Sequence, residues 1–373
     1  MKLPDQREQA DAEPLFPDMS RRRKIGVLTF HKCINYGSYW QARCLVEGLR
    51  REGFDAELID HHSDRVARAE ARCALQPMLP VRSARDQMHG YAAKIRKFLG
   101  ACARLPLSPP VPLERPEEIG DYDAIVVGSD EVWNLSHPWY GGARAFYGDG
   151  VETPRLIAYA GSFGSYSCHW GLDEYWTGLL KGFDALSVRD RNSYWLVNGT
   201  TGREPPLVLD PCLQFADLID AEPSDGEPYA LVYGHSFPKW LVARVIRWAQ
   251  AHGLRLCSVG YHNDFADEQL LEAGPLEFAR LMRGARAVIT TYFHGCVFAL
   301  LNRKPFAAAV TDYRRNKVSD LAATLTMPAR IVGEATPQRT FDRLLDREPP
   351  PRVFERIAEA REQSRDYLRA ALA

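Results

Sequence analysis

The segment AVITTYFHGCVFALLNRKPF, residues 287–306, decides the fold and locates the first candidate site. Its pattern predicts a buried strand over Val288–Thr290, then a sharp turn that carries His294 and Gly295, then an apolar helix. A histidine at a strand-to-helix turn lies beside the free N–H groups of a helix start, which favours anion binding. The alternative interpretation is that His294 only caps this helix.

A βαβ unit opens the chain. The apolar run Lys24–Phe30 and the segment Ala56–Ile59 predict two parallel strands. The apolar residues between them share one helix face: Ala42, Leu45, Val46 and Leu49. Ser38 and Gln41 fit a capping box at the start of that helix. A strand, helix and parallel strand in this order indicate a right-handed crossover.

The loop of residues 31–37 lies at the carboxyl end of the first strand, where open α/β sheets bind ligands. It lacks the G-x-G-x-x-G pattern, so it is not a dinucleotide fingerprint. Asn35 and Gly37 either make room here for a substrate or act as ordinary turn residues.

Three more predicted strands end in small or charged residues: Asp123–Asp130, Leu156–Gly164 and Ala185–Arg191. Ser129 and Asp130 end the first of these segments, and in the third Arg189 lies just past the strand. Because the carboxyl ends of parallel strands meet at one sheet edge, these residues predict a shared crevice. The alternatives are simple turn geometry for the small residues and a surface ion pair for Arg189.

The alternation of strands and helices restarts after a polar, turn-rich segment at residues 221–227, which we interpret as a domain linker. A chain of 373 residues is also too long for one typical core. The predicted boundaries are a disordered tail at 1–22, domains at 23–220 and 228–345, and a C-terminal helix at 346–373. The predicted fold is α/β, with two Rossmann-like doubly wound domains facing a cleft, a preferred ligand location.

Residues 62–118 interrupt the first domain and are rich in arginine and proline. The part over Arg82–Leu99 fits a basic amphipathic helix. One hypothesis is a lid or an acceptor-binding insert, and the other is a solvated surface helix.

Composition and charge argue against several classes of protein. A net charge of −1 does not mark a nucleic-acid binder, and no apolar run reaches the ~18–20 residues of a membrane span. The first twenty residues lack an apolar core, so no secretory signal is expected. The eight cysteines have no C-x-x-C spacing, which indicates reduced thiols in a cytoplasmic protein without a bound metal or disulfides.

Cationic side chains are expected on both sides of the cleft. Arg189 comes from the first half, and the second half supplies a basic cluster: Arg314, Arg315 and Lys317. Arginine binds phosphate or carboxylate through two parallel hydrogen bonds, and His294 is a candidate acid or base. This set predicts a cleft enzyme that acts on a small, doubly anionic substrate.

Several segments now carry a family resemblance: residues 35–54 (NYGSYWQARCLVEGLRREGF), 126–134 (VVGSDEVWN), 159–164 (YAGSFG), 187–191 (SVRDR), 209–213 (LDPCL) and 288–306 (VITTYFHGCVFALLNRKPF). In these segments the chain resembles the polysaccharide pyruvyl transferase family. The resemblance implies two Rossmann-like domains arranged as in GT-B glycosyltransferases. It also implies that pyruvate passes from phosphoenolpyruvate to two hydroxyls of a sugar, giving a cyclic ketal and phosphate.

The resemblance also implies residue roles. His294 is the implied acid and Arg189 an anion clamp. The implied donor-binding set is Arg189, Tyr292, His294, Gly295 and a basic residue, Arg314 or Lys317. The implied acceptor-binding set is Asn35, Gly37, Ser129 and Asp130. Phosphoenolpyruvate would be a co-substrate with no further cofactor, and the acceptor would be a sugar, a glycan or a lipid-linked saccharide, the last allowing peripheral membrane association.

The chain departs from the family pattern at three positions. Tyr292 stands where some members have arginine, and cysteines stand where threonine is common, at Cys212 and Cys296. Cys296 is either a nucleophile or a small buried thiol facing the core. Two other functions remain open: a GT-B glycosyltransferase that uses a nucleotide sugar, and a non-catalytic glycan-binding member. Residues 263–300 contain no pair of glutamates eight apart, a spacing common in the former group.

Overall fold

The computed structural model describes residues 22–223, 226–309 and 315–373. The strands of this described part are β1 (Lys24–Leu28), β2 (Asp55–Leu58), β3 (His61–His62), β4 (Val111–Pro112), β5 (Ala124–Val127), β6 (Leu156–Gly161), β7 (Ala185–Val188), β8 (Tyr229–Tyr233), β9 (Arg255–Val259), β10 (Glu268–Leu270), β11 (Ala287–Thr290), β12 (Phe306–Ala309) and β13 (Ile331–Val332). The α-helices are α1 (Tyr36–Arg51), α2 (Asp64–Leu75), α3 (Arg85–Cys102), α4 (Glu174–Lys181), α5 (Arg191–Thr201), α6 (Pro211–Gln214), α7 (Lys239–Ala251), α8 (Pro275–Gly284), α9 (Phe293–Leu301), α10 (Arg315–Thr324), α11 (Gln338–Asp346) and α12 (Pro351–Leu372).

Two parallel sheets organise the chain. The first has the order β2-β1-β5-β6-β7 and the second the order β10-β9-β8-β11-β12-β13. Strands β5, β8 and β11 are buried along their whole length, because helices cover both faces of each sheet. The predicted fold, two Rossmann-like α/β domains, is confirmed. Residues 1–21 of the predicted tail and residues 224–225 of the predicted linker lie outside the described residues.

The start of α1 differs from the predicted capping box. The helix begins at Tyr36, and Asn35 Oδ1 accepts hydrogen bonds from the backbone N–H of Gly37 and Ser38. The prediction that Ser38 and Gln41 form the cap is therefore wrong. Ser38 Oγ instead donates to Asp130 at 2.6 Å, so tertiary contacts compete with the local motif.

The junction between β11 and α9 is also tighter than predicted. Tyr292 is the N-cap of α9, and its N–H donates to Thr290 Oγ1. His294 and Gly295 therefore lie in the first turn of the helix and not in the preceding turn. The helix is buried from Phe293 to Leu300, which fixes the His294 backbone firmly at the end of the central strand β11.

Helix α3 of the 62–118 insert is not the solvated helix that its charge suggests. Its Tyr91, Lys94 and Phe98 are buried. The Tyr91 hydroxyl accepts a hydrogen bond from the backbone N–H of His262, in the second domain. One face of α3 therefore joins the two domains.

The last helix, α12, returns to the first domain. Tyr367 donates from its hydroxyl to the Ala158 carbonyl at 2.7 Å, and Ser364 Oγ accepts from the Leu209 N–H at 2.9 Å. Because β13 and α11 belong to the second domain, this crossing ties the domains together a second time. No described helix combines the length and apolar character needed to cross a membrane.

Candidate active site

The carboxyl ends of the two sheets face a cleft of about 370 Å³. The charged and titratable side chains along it come from both domains and from the insert: Cys33, Glu70, Cys73, Lys94, Asp130, Glu131, His137, Arg189, Tyr233, His235, Tyr261, Tyr292, His294 and Lys317. The cleft therefore holds most of the predicted site.

Arg189 follows β7 and is held by carboxylates of two neighbouring segments. Its Nη2 donates to Asp130 Oδ1 at 3.1 Å, and its Nη1 donates to Asp210 Oδ2 at 2.9 Å and to Ser129 Oγ at 3.4 Å. The Arg189 side chain is 2% exposed, and its guanidinium lies 5.0 Å from the centroid of the Phe293 ring. Burial disfavours the charged guanidinium, but Asp130 and Asp210 outweigh it and raise the pKa of Arg189.

Asp210 joins Arg189 to the predicted acid. His294 Nε2 lies 3.4 Å from Asp210 Oδ2, an ion-pair distance, but makes no hydrogen bond with any described residue. Burial alone would raise the pKa of Asp210, yet His294 and Arg189 hold it below its ordinary value. The structure therefore brings the Arg189 guanidinium and the His294 imidazole, from opposite domains, onto one buried carboxylate.

The first turn of α9 fixes where His294 lies. A Cβ on Gly295 would approach Thr290 Oγ1 far inside 3.0 Å, so no side chain fits between the strand and the helix. The first N–H groups of a helix have no helical acceptor, and they carry the positive end of its dipole. The start of α9 therefore presents backbone N–H groups beside His294, and the prediction that they bind an anion stays a prediction.

The predicted acceptor residues divide into two groups. Asn35 and Asp130 line the cleft, together with Ser38. Gly37 lies behind the cleft wall, against the His294 ring. Ser129 is fully buried and binds Arg189 and the Thr29 hydroxyl.

Lys317 of the second domain forms an ion pair with Glu131 of the first. The two side chains are 11% and 13% exposed. Burial alone would raise the pKa of Glu131, but Lys317 outweighs it and lowers the pKa to about 2. Arg314, the other predicted donor-site cation, lies outside the described residues.

An aromatic wall, which comprises the side chains of Tyr233, His235, Tyr261 and Tyr292, forms the second-domain side of the cleft. The Tyr292 ring lies 4.9 Å from that of Tyr233 and 5.4 Å from that of Tyr261, measured between centroids. Lys94 adjoins this wall, 4.6 Å from the Tyr261 centroid. Sequence reasoning missed both Lys94 and Glu131. Glu131 adjoins the quoted Gly-Ser-Asp turn, whereas the charged surroundings of Lys94 suggested a solvated position.

Asp210, Cys212 and His294 are the described side chains that could form a metal site, with potential ligand atoms within 4.8 Å of one another. This set fits a cation poorly. Asp210 Oδ2 already accepts from Arg189, and a metal ion there would meet the charge of the guanidinium. Burial raises the pKa of the Cys212 thiol, which disfavours the thiolate that metals bind.

The fold defines a two-domain α/β protein with a cleft between its domains. A family model described as polysaccharide pyruvyl transferase matches residues 35–313, so the chain belongs to that family. The family indicates a transferase that acts on glycans. A comparison with curated proteins found no match.

Three solved structures are similar to this chain over most of their length, and the first of them supports the predicted two-domain fold. A putative UDP-N-acetylglucosamine 2-epimerase from Listeria monocytogenes is 10% identical, with 94% of this chain and 96% of that chain covered and a TM-score of 0.52. S. aureus MnaA, solved with UDP, is 11% identical, with 93% and 96% covered and a TM-score of 0.48. The glycosyltransferase SnogD from Streptomyces nogalater is 12% identical, with 93% and 96% covered and a TM-score of 0.44. At 10% identity the likeness to the Listeria monocytogenes protein concerns the fold alone.

Proposed function

We propose that this protein transfers the pyruvyl group of phosphoenolpyruvate to two hydroxyls of a glycan, forming a cyclic ketal and releasing phosphate. One observation carries the proposal. Arg189 of the first domain and His294 of the second both contact the buried carboxylate of Asp210, in the wall of one cleft. An imidazole, a guanidinium and a helix start around one cavity suit a small donor with two negative groups.

The reaction needs an acid for the methylene carbon of the donor. His294 would give its proton to that carbon, which becomes a methyl group and leaves a cationic centre at the adjacent carbon. One sugar hydroxyl attacks this centre and loses its proton. The C–O bond to phosphate then breaks, phosphate leaves with the electron pair, and the second hydroxyl closes the ring. One hydroxyl proton restores His294 and the other ends on phosphate, so no oxidant or cofactor is consumed.

The two ring nitrogens of His294 have different surroundings. Nε2 faces the buried Asp210 carboxylate, which stabilises a positively charged imidazole. Nδ1 packs against Gly37, at the position that a Cβ on this residue would occupy. We therefore assign the stabilisation of the charged ring to Asp210, on the Nε2 side.

The acceptor would lie on the first-domain side of the cleft. Asn35, Asp130 and Trp139 line that side, and they offer amide, carboxylate and indole groups of the kind that bind sugars. Trp139 is also held in place, because its Nε1 donates to Glu70 at 2.8 Å.

The test is acceptor-dependent phosphate release from phosphoenolpyruvate, with a panel of saccharides and lipid-linked saccharides. The expected product is heavier than its acceptor by one pyruvate less one water. His294→Asn should lose about 10²–10⁴-fold in turnover, whereas the surface variant His252→Asn should retain activity. Normal turnover by His294→Asn would remove this residue from the mechanism.

The two other functions give different results in the same experiment. Thermal stabilisation by nucleotide sugars and not by phosphoenolpyruvate would favour a glycosyltransferase. Glycan binding without any phosphate release would favour a non-catalytic member.

A further inference from the structure

Lys94 is a buried cation that lies on the cleft but belongs to the insert. Its side chain extends from α3, and the residue is 3% exposed. Nζ donates to the Gly260 carbonyl at 3.0 Å. It also lies 5.1 Å from the centroid of the Tyr36 ring and 4.6 Å from that of Tyr261. The ammonium is thus enclosed by the ring of Tyr36, in the first domain, and by the ring of Tyr261 and the carbonyl of Gly260, in the second.

The other described cations of the cleft each have a carboxylate partner. Arg189 binds Asp130 and Asp210, and Lys317 binds Glu131. Within the described part of the chain, Lys94 forms no ion pair.

Glu70 is the acidic side chain of the insert that also lines this cleft. Its oxygens accept from Trp139 Nε1 and from the Ile34 N–H. Burial raises the pKa of the Glu70 carboxyl. Glu70 therefore has neutral donors as its hydrogen-bond partners and forms no ion pair with Lys94, although its charge favours the Lys94 ammonium from a longer distance.

We propose that Lys94 binds the carboxylate of phosphoenolpyruvate, while the start of α9 and His294 receive its phosphate. This assignment rests on the proposed function and deepens it, because it gives the two negative groups of the donor separate partners. The phosphate has three oxygens and suits the several N–H groups of a helix start. The carboxylate needs one cation whose charge is not already matched within the protein.

The two proposed subsites lie against consecutive residues of α1. Tyr36, whose ring adjoins Lys94, directly precedes Gly37, which contacts the His294 ring. An ammonium has three N–H donors, and Gly260 accepts from one of them. Burial lowers the pKa of Lys94 to about 8, so the charged form still predominates at neutral pH, and a bound carboxylate would favour it further.

The test compares Lys94→Met with Arg96→Met, which removes a charge from an exposed position of the same helix. Isothermal titration is done with phosphoenolpyruvate, with pyruvate as the carboxylate probe and with inorganic phosphate. Lys94→Met should lower the affinity for phosphoenolpyruvate and for pyruvate at least about tenfold, as expected for the loss of a charged hydrogen bond. It should change the affinity for inorganic phosphate less than about twofold. Arg96→Met should bind all three as the wild type does.

Other outcomes overturn the assignment. An equal loss of affinity for all three ligands would indicate that Lys94 only joins the domains. A selective loss of affinity for inorganic phosphate would place the phosphate group of the donor, and not its carboxylate, at Lys94. A selective loss of pyruvate affinity in Arg314→Met, with normal binding by Lys94→Met, would assign the carboxylate to the basic segment.

If the wild type binds no phosphoenolpyruvate, the proposed function itself fails. If it binds and turns over the donor while Lys94→Met binds pyruvate normally, only this assignment fails.

A second variant provides the same test if Lys94→Met does not fold. Lys94→Gln removes the charge but retains an N–H donor for the Gly260 carbonyl, and it should show the same selective loss. If neither variant folds, phosphoenolpyruvate must slow the reductive methylation of Lys94 in the wild type relative to that of the exposed Lys97. Equal protection of both lysines would overturn the proposal.

Discussion

Gly37 and His294 touch across the boundary between the two domains. A Cβ on Gly37 would approach His294 Nδ1 far inside 3.0 Å, a distance that real Cβ atoms essentially never show. Gly37 lies in the first turn of α1, and Asn35 fixes that turn by accepting from the Gly37 N–H at 2.9 Å. The absence of a side chain at residue 37 is therefore a condition for the observed position of the imidazole.

Gly37→Ala should reduce phosphate release by at least about 10²-fold, because the methyl group must displace the proposed acid. The cost in unfolding free energy should be smaller, about 1–3 kcal/mol for an overpacked contact. Turnover and urea unfolding measure the two effects separately.

The matched control is Gly178→Ala, in α4. Nothing lies within 4 Å of a Cβ at that position, so the substitution should leave turnover unchanged and stabilise the helix by about 0.5–1 kcal/mol. Full activity of Gly37→Ala beside an unaffected control would contradict the steric account.

Glu131→Gln should destabilise the protein at neutral pH by about 3 kcal/mol, because the charge of Lys317 would stay buried without its partner. The pKa of Glu131 falls from an ordinary 4.5 to about 2 in the folded state. Its stabilising contribution is therefore complete above pH 4.5 and is lost as the pH falls towards 2. Urea unfolding of wild type and variant across this range should converge at the acid end.

Glu118→Gln is the control for that experiment, because its ion pair with Arg115 is exposed and should contribute about 0–1 kcal/mol. A constant difference between wild type and Glu131→Gln from pH 7 to pH 2 would show that the carboxylate does not titrate as described.

Arg189→Met should destabilise the protein by about 3–5 kcal/mol, because Asp130 and Asp210 would keep buried charges without their partner. Combining it with Asp210→Asn should restore part of the loss, so the two effects are not additive. Chemical unfolding of the wild type, the two single variants and the double variant gives the coupling free energy between Arg189 and Asp210. Strict additivity would argue against the pairing, and unchanged phosphoenolpyruvate affinity in a folded Arg189→Met would argue against the clamp.

The sequence predicts the strands well because a strand buried on both faces is a local apolar run. Val288–Thr290, for example, lies within the observed β11, Ala287–Thr290. It predicts Arg189 and His294 as site residues because both follow such strands. It does not predict the capping of α1, since Ser38 is engaged by Asp130, 92 residues away.

Lys94 illustrates the same limit at the site. Its own helix is rich in arginine and lysine, which is typical of a solvated surface. Its burial depends on Gly260 and Tyr261, which are contributed by the other domain. A local pattern of charge cannot contain that information.

Cys296→Ala should retain phosphate release, because the thiol two residues after His294 faces the core. Cys296 is 1% exposed, and burial raises its pKa to about 12, whereas a nucleophilic cysteine needs an accessible thiolate. Removing one buried sulfur should cost about 1 kcal/mol of unfolding free energy. Steady-state phosphate release and intact-mass measurement during turnover check this outcome. Loss of activity in a folded Cys296→Ala, or a covalent pyruvyl adduct that this variant cannot form, would replace direct acid catalysis by a covalent route.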